Sequence, residues 1–362
     1  MRLSNLYKPL LNSLRFTIAR LRFDYEATRV ESFDFQSLRH VVINKPDGKL
    51  GDTEVMSFFI EALKRYCPSL KISVICPEFI ASVYKDVLKV THVEISPKRP
   101  KFREIDAMAA SLEQIGPCDL LISTEMVSRP RDLYLCHKLK PQIFAGFDSR
   151  VKAIAINLFE RNKDRHISLF FDDLLQMGGI HADNCAYQPL FTKDDAERVE
   201  GYFEGKKTIG LIPFGAARDK RLKEDTITKL CQYLEEHTDA FIVPLLTKDE
   251  IETKNLLLSR QEQSRYLFLP DLSIREFAAA VAHLSALLSV DTAGVHLAVA
   301  SHIPLLSLNQ GFGDEPKRWL PGPFARAYTV PLAYEGKLIS DLDFAIIKDD
   351  LENFLKTLGF MK

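Results

Sequence analysis

The chain has 362 residues, 46% hydrophobic and 27% charged, a composition that excludes disorder, collagen-like repeats and coiled coil. Forty-eight Lys and Arg against 49 Asp and Glu leave a net charge of −1, whereas a dedicated nucleic-acid binder is usually far more basic. The length suits two or three domains of ~150 residues. Cys67, Cys76, Cys118, Cys136, Cys185 and Cys231 form no C-x-x-C pair and match no zinc spacing, so they read as buried free thiols of a reducing compartment. The most apolar stretch, 277–290, is too short to span a bilayer, and no signal peptide is evident, so a cytoplasmic protein is expected.

Residues 1–38 form a basic leader. Arg2, Lys8, Arg15, Arg20 and Arg22 all precede the first acid, Asp24. Leu11, Leu14, Ile18 and Leu21 recur at helical spacing, with Pro9 placed in a first turn. Lys8, Arg15 and Arg22 recur every seven residues along one flank of that stripe. Two readings stand: a surface helix reaching lipid phosphates, or a helix docked on the protein's own body.

From residue 39 to 190 strands and helices alternate. Strands are expected at His40–Asn44, Lys71–Cys76, Cys118–Thr124 and Gln142–Phe147. A helix presents Val55, Phe58, Phe59, Ala62 and Leu63 on one face, and another runs from Ile167 to Met177. This β-α-β order implies a parallel sheet with helices on both faces. Residues 191–206 are charge-rich and read as a linker. A second series fills 207–335, with strands at Lys207–Pro213, Ala240–Leu245, Tyr266–Leu269, Ala286–Val290 and Pro304–Leu308. One of its helices covers about Glu224–Glu236. Another opens at Ser273, where S-x-x-E has the form of a capping box, and a third begins near Gly294. Residues 336–362 form a C-terminal segment. The fold class is therefore α/β, two doubly wound units in tandem. Such units bind ligands beyond the carboxyl ends of their strands.

Three loops could carry chemistry. Gly48-Lys49-Leu50-Gly51-Asp52 follows the first strand, and its glycines permit a tight turn close to a ligand. Asp52 there is either a helix N-cap or a catalytic carboxylate. The segment from Phe214 to Arg221 follows the first strand of the second unit. Its Arg218, Lys220 and Arg221 suit a pyrophosphate, or form a solvated charge cluster. Asp291-Thr292-Ala293-Gly294 closes a strand and opens a helix, so its N–H groups can grip a phosphate. His296 lies near that helix start and is structural or catalytic, while Asp291 could equally form a turn. The pair Asp341 and Asp343 makes a D-x-D, read as solvated or capping rather than metal-binding.

These loops together resemble glycosyltransferase family 9, best known for the ADP-heptose:lipopolysaccharide heptosyltransferases. The most specific match runs from Val290-Asp291-Thr292 through His296-Leu297-Ala298 to Ala300 and Pro304. Segment order fits from about residue 39 onward, leaving the basic leader outside. Ala293 stands where the family usually has glycine, and Leu222-Lys223 where Trp-Pro is common. The resemblance implies a GT-B architecture, two Rossmann-like domains facing across a cleft. It implies an inverting, metal-independent transfer of heptose from ADP-heptose to a lipid-linked inner-core oligosaccharide, with no cofactor and no nucleic acid. Asp52 would be the base. Lys220, helped by Arg218 or Arg221, would offset charge on the departing diphosphate, which Asp291, Thr292, Ala293 and Gly294 would hold. His296 would orient that loop or touch the donor, and Gly48, Lys49 and Gly51 would shape the acceptor side. The final helix, about Lys348 to Leu358, would pack back on the first domain. Under the lipid reading of the leader, residues 1–38 would hold this cytoplasmic protein peripherally at the cytoplasmic face of the inner membrane. Another sugar donor or surface-glycan acceptor, and a degenerate nucleotide-binding scaffold, remain as alternatives.

Overall fold

The computed structural model describes residues 4–125, 128–163, 165–182, 185–246, 265–312, 318–322 and 329–362, with 250, 253, 255, 257 and 259 besides. The chain divides into two compact units. The first comprises Met1–Gly48, Phe58–Lys163 and Ser168–Cys185; the second comprises Lys49–Ser57, Asp164–Ile167 and Ala186–Lys362.

In the first unit the strands are β1 (His40–Asn44), β2 (Lys71–Cys76), β3 (His92–Ile95), β4 (Leu120–Ser123), β5 (Ile143–Gly146) and β6 (Ile156–Asn157). They pair in the order β3-β2-β1-β4-β5-β6, all parallel. Val41 lies opposite both Ile72 and Leu120, and Ile43 opposite Val74 and Ile122. These residues are fully or almost fully buried because helices cover both faces of such a sheet. The helices are α1 (Ser4–Phe23), α2 (Leu50–Tyr66), α3 (Glu78–Ser82), α4 (Phe102–Ile115), α5 (Pro130–Leu139), α6 (Leu158–Asn162) and α7 (Ser168–Met177). Strand order reverses between β1 and β4, so the Gly48 loop after β1 lies at the topological switch point.

The leader is a helix that docks on its own unit. Phe16 and Ala19 of α1 share a core with Leu133, Cys136 and Val151, and the Phe23 ring stands 5.0 Å from Tyr134, edge-on. Asp24 then accepts from the N–H groups of Lys152 and Ala153, fixing the exit. The described part of the helix begins at Ser4, so Pro9 lies beyond its first turn.

In the second unit β7 (Thr208–Ile212), β8 (Phe241–Pro244), β9 (Ala286–Val290), β10 (Leu305–Asn309) and β11 (Thr329–Ala333) pair in the order β11-β10-β9-β7-β8, again parallel. Counted within this unit the order is 2-1-3-4-5, with its switch point between β7 and β9. The helices are α8 (Lys193–Phe203), α9 (Glu224–His237), α10 (Ile274–Ala282), α11 (Ala293–Ala300) and α12 (Phe344–Thr357).

Two expectations need correction, at residues 191–206 and at Tyr266–Leu269. Residues 191–206 are not a bare linker: Thr192 caps α8 in a reciprocal box with Asp195, and buried Asp195 pairs with Arg275 of α10 at 3.3 Å. The final helix is part of the second unit. Ile347, Leu351, Phe354 and Leu355 of α12 join Ile209, Leu230 and Leu234 in the core of the second unit. The strand expected at Tyr266–Leu269 reduces to one bridge between Tyr266 and Ile242. The D-x-D pair does cap: Asp343 accepts from Ile346 N–H at the start of α12, and Asp341 from Leu338 N–H. All six cysteines are free and buried.

Candidate active site

β7 and β9 are hydrogen-bonded neighbours, with Ile212 opposite Ser289. The loops that leave their carboxyl ends therefore lie side by side. The β7 loop folds back on itself. Gly215 N–H donates to the Lys220 carbonyl at 2.7 Å, and Leu222 N–H to that of Pro213 at 3.0 Å. This turns Lys220 toward the β9 loop, where its Nζ lies 2.5 Å from Asp291 Oδ2. Arg221 points elsewhere, pairing with Glu250 at 3.0 Å and lying 4.2 Å from the Phe214 ring centroid. Arg218 is exposed. Leu222 sits in the core of the unit, which gives the position usually held by Trp an apolar structural role.

The β9 loop ends in a built helix start. Thr292 is the N-cap of α11; its Oγ1 accepts from Gly294 N–H at 3.2 Å and contacts Ser289 Oγ at 3.2 Å. A side chain at Gly294 would bring its Cβ to 2.3 Å from Ile212 Cδ1, so glycine lets α11 approach β7. Around these two loops lies a cavity of about 700 Å³, within the usual range for small-molecule sites. Its lining combines Gly215, Thr292, Ala293 and Gly294 with Arg221 and Glu250 and with an apolar wall that includes Leu246, Phe268 and Phe277. A flat ring can rest on that wall, hydroxyls can donate to Glu250, and an anion suits the helix start beside Lys220.

The second unit also includes the first turns of α2. Gly48 adopts a φ of +60°, a conformation that favours glycine, and the helix begins at Leu50. Asp52 is thus the third residue of α2, not its N-cap; the Lys49 carbonyl instead receives Thr53 N–H at 3.1 Å. A carboxylate in the first turn is favoured by the helix dipole. Gly51 faces α11: a Cβ there would lie 3.1 Å from Ala293 Cα and 3.1 Å from His296 Cδ2. The missing side chain therefore brings the turn bearing Asp52 against the helix that starts at the Asp291–Gly294 loop.

Sequence reasoning named His296 but missed Glu54, His166, Tyr187 and Trp319. Glu54 is fully buried, and neither carboxyl oxygen finds a hydrogen-bond partner among the described residues. Burial pushes its carboxyl well above the usual carboxylate range. Its signal was an acid at the Gly51+3 position of an apolar helix face. His296 is buried and its Nδ1 is likewise unpartnered among the described residues; burial lowers its pKa to about 4, with Asp291 pulling the other way. Its ring lies edge-on to Tyr187 at 6.3 Å and to Trp319 at 6.1 Å. His166, whose Nε2 donates to the Leu320 carbonyl at 2.9 Å, is also lowered to about 4, by burial and then by His296. Both imidazoles are neutral at pH 7, so they supply shape and hydrogen bonds rather than charge.

Glu54 sets a stability signature. An unfolded glutamate ionises at its ordinary value, whereas the folded one stays protonated well above it. The stabilisation is complete below the ordinary value and is lost as pH rises toward the folded one. Glu54→Gln, which keeps the shape and removes the titration, should match wild type in Tm near pH 4. It should melt ~2–5 °C higher at pH 8. Parallel Tm–pH curves for the two proteins would contradict this.

Two parallel doubly wound units, with a nucleotide-sized cavity at the switch point of the second, define the GT-B class of glycosyltransferases. The model of glycosyltransferase family 9 (heptosyltransferase) matches residues 152–336, just over half of the chain, and the protein belongs to that family. No curated protein matches its sequence. Among solved structures it is similar to a family 9 glycosyltransferase from Veillonella parvula, with a TM-score of 0.70 and 15% identity over 91% of this chain and 100% of that one. E. coli ADP-heptose lps heptosyltransferase II gives a TM-score of 0.67 at 14% identity, covering 88% of this chain and 99% of that one. E. coli heptosyltransferase WaaC with ADP gives 0.66 at 16%, covering 87% and 99%. At these identities the likeness is one of fold.

Proposed function

We propose that this glycosyltransferase moves a heptose from ADP-heptose to the inner core of a lipopolysaccharide or lipooligosaccharide acceptor, in one inverting displacement. The acceptor hydroxyl attacks the anomeric carbon, its proton passes to Asp52, and the bond to ADP breaks with its electron pair leaving on the diphosphate. Lys220 offsets the charge that gathers there, with exposed Arg218 assisting, and the first turn of α11 receives the phosphates at Thr292, Ala293 and Gly294. These cations and N–H groups meet the diphosphate without a metal or cofactor, so activity should persist in EDTA. Neutral His296 supports the loop from below, and Gly48, Lys49 and Gly51 shape the approach of the acceptor.

The observation that carries this reading is the contact of Gly51 with Ala293 and His296, which puts a carboxylate-bearing helix turn against the diphosphate loop. Support for the donor comes from the family and from a fold relative captured with ADP. The test is thermal stabilisation by ADP, UDP, GDP and CMP at one millimolar-range concentration. A ligand that binds only the folded state raises the midpoint according to RT ln(1 + [L]/Kd). ADP should produce the largest shift. A shift with UDP or GDP instead would change the donor, and no shift with any would leave a non-catalytic scaffold.

A further inference from the structure

The docked leader leaves a second face unused. On α1, Phe16, Ala19 and Phe23 turn toward the body of the first unit. Leu11, Leu14, Ile18 and Leu21 fall roughly opposite on the 3.6-residue wheel. They are 49%, 56%, 54% and 85% exposed. A contiguous row of four large apolar side chains in water calls for a partner, unlike one scattered leucine. The face that docks is therefore not the face that the leucine spacing marks.

Charge selects the partner. α1 contains no Asp or Glu, and exposed Arg15 and Arg22 border the apolar row on one side. The cationic surface continues past the end of the helix. Exposed Phe102 stands 6.0 Å from the Phe23 ring, edge-on, within a run in which Lys98, Arg99, Lys101 and Arg103 are all exposed. A second copy laid on this face would bring guanidinium groups against one another. An anionic bilayer instead takes the apolar row below its headgroups and the arginines at its phosphates. Among the described residues no helix is long and apolar enough to cross a membrane, which fits a helix that lies on one.

We propose that the outward face of α1, extended by the Lys98–Arg103 segment, is a docking surface for an anionic lipid bilayer. The inference goes beyond the donor assignment, and its test uses no nucleotide, so the two can fail separately. Full-length protein would be sedimented with phosphatidylglycerol/phosphatidylethanolamine vesicles and, in parallel, with phosphatidylcholine vesicles. Wild type should bind the former and not the latter, with release at ~0.5 M salt. Leu14→Glu/Ile18→Glu should lower the partition coefficient about tenfold or more, and Arg15→Glu/Arg22→Glu should abolish the preference for the anionic lipid. Unchanged far-UV spectra and melting temperatures would show that these variants fold. Wild type left in the supernatant, or equal binding of the Leu14/Ile18 variant, would overturn the proposal. So would a wild-type dimer that this variant dissociates without any vesicle binding, since that result would assign the face to a second copy.

Discussion

Asp52→Asn should lower kcat by about 10²–10⁴ while leaving the Kd for ADP within a factor of about two, because the proposed general-base assistance would be lost and Asp52 does not line the cavity of the second unit. The substitution is nearly isosteric. It sits in the first turn of α2, where the amide gives up the favourable term between a carboxylate and the helix dipole. The Gly51 contact with α11 stays in place, so the diphosphate loop keeps its support. The check is steady-state transfer with saturating donor, paired with calorimetric titration of ADP. A wild-type rate would remove Asp52 from the mechanism. Equal losses of rate and ADP affinity would mean that the residue shapes the loop rather than taking the proton.

Lys220→Met should cost about 10²–10³ in kcat and also weaken ADP binding, since it removes the cation expected at the leaving group. Its effect has two parts that a second substitution separates. Asp291, whose side chain is only 14% exposed, loses its partner and turns an uncompensated carboxylate toward the incoming phosphates. Asp291→Asn in the Lys220→Met background should therefore recover part of the ADP affinity but not the rate. The double-mutant cycle should give a coupling of ~0.5–3 kcal/mol for binding. Strict additivity would mean that the pair seen here does not face the ligand.

The strands that read most clearly are those buried on both faces. His40–Asn44, Lys71–Cys76 and Ala286–Val290 are apolar runs because helices cover them above and below. The edge strands β3 and β11 were hidden. β3 carries His92 and Glu94, and β11 contains Pro331 with partly exposed neighbours, so neither forms an apolar run. Residues 191–206 misled because charge outweighs their apolar residues, yet Val199 and Phe203 give α8 its buried side and Thr192 with Asp195 give it a cap. At the site, Asp52, Lys220 and the Asp291–Gly294 loop were legible because each follows a strand and precedes a helix. Glu54, His166, Tyr187 and Trp319 were not. Their meaning depends on what packs around them, and they are drawn from positions spread between 54 and 319.

The six buried thiols bear on how this protein can be handled. Burial raises the pKa of Cys76, Cys136 and Cys185 to about 12 and pushes Cys67 and Cys118 up as well, which keeps them as thiols rather than the reactive thiolates. Maleimides and iodoacetamides, which need an accessible thiolate, should pass the folded chain by. A fluorophore or spin label can then be attached at one introduced cysteine, on the outer row of α1 for instance, without first stripping out the native ones.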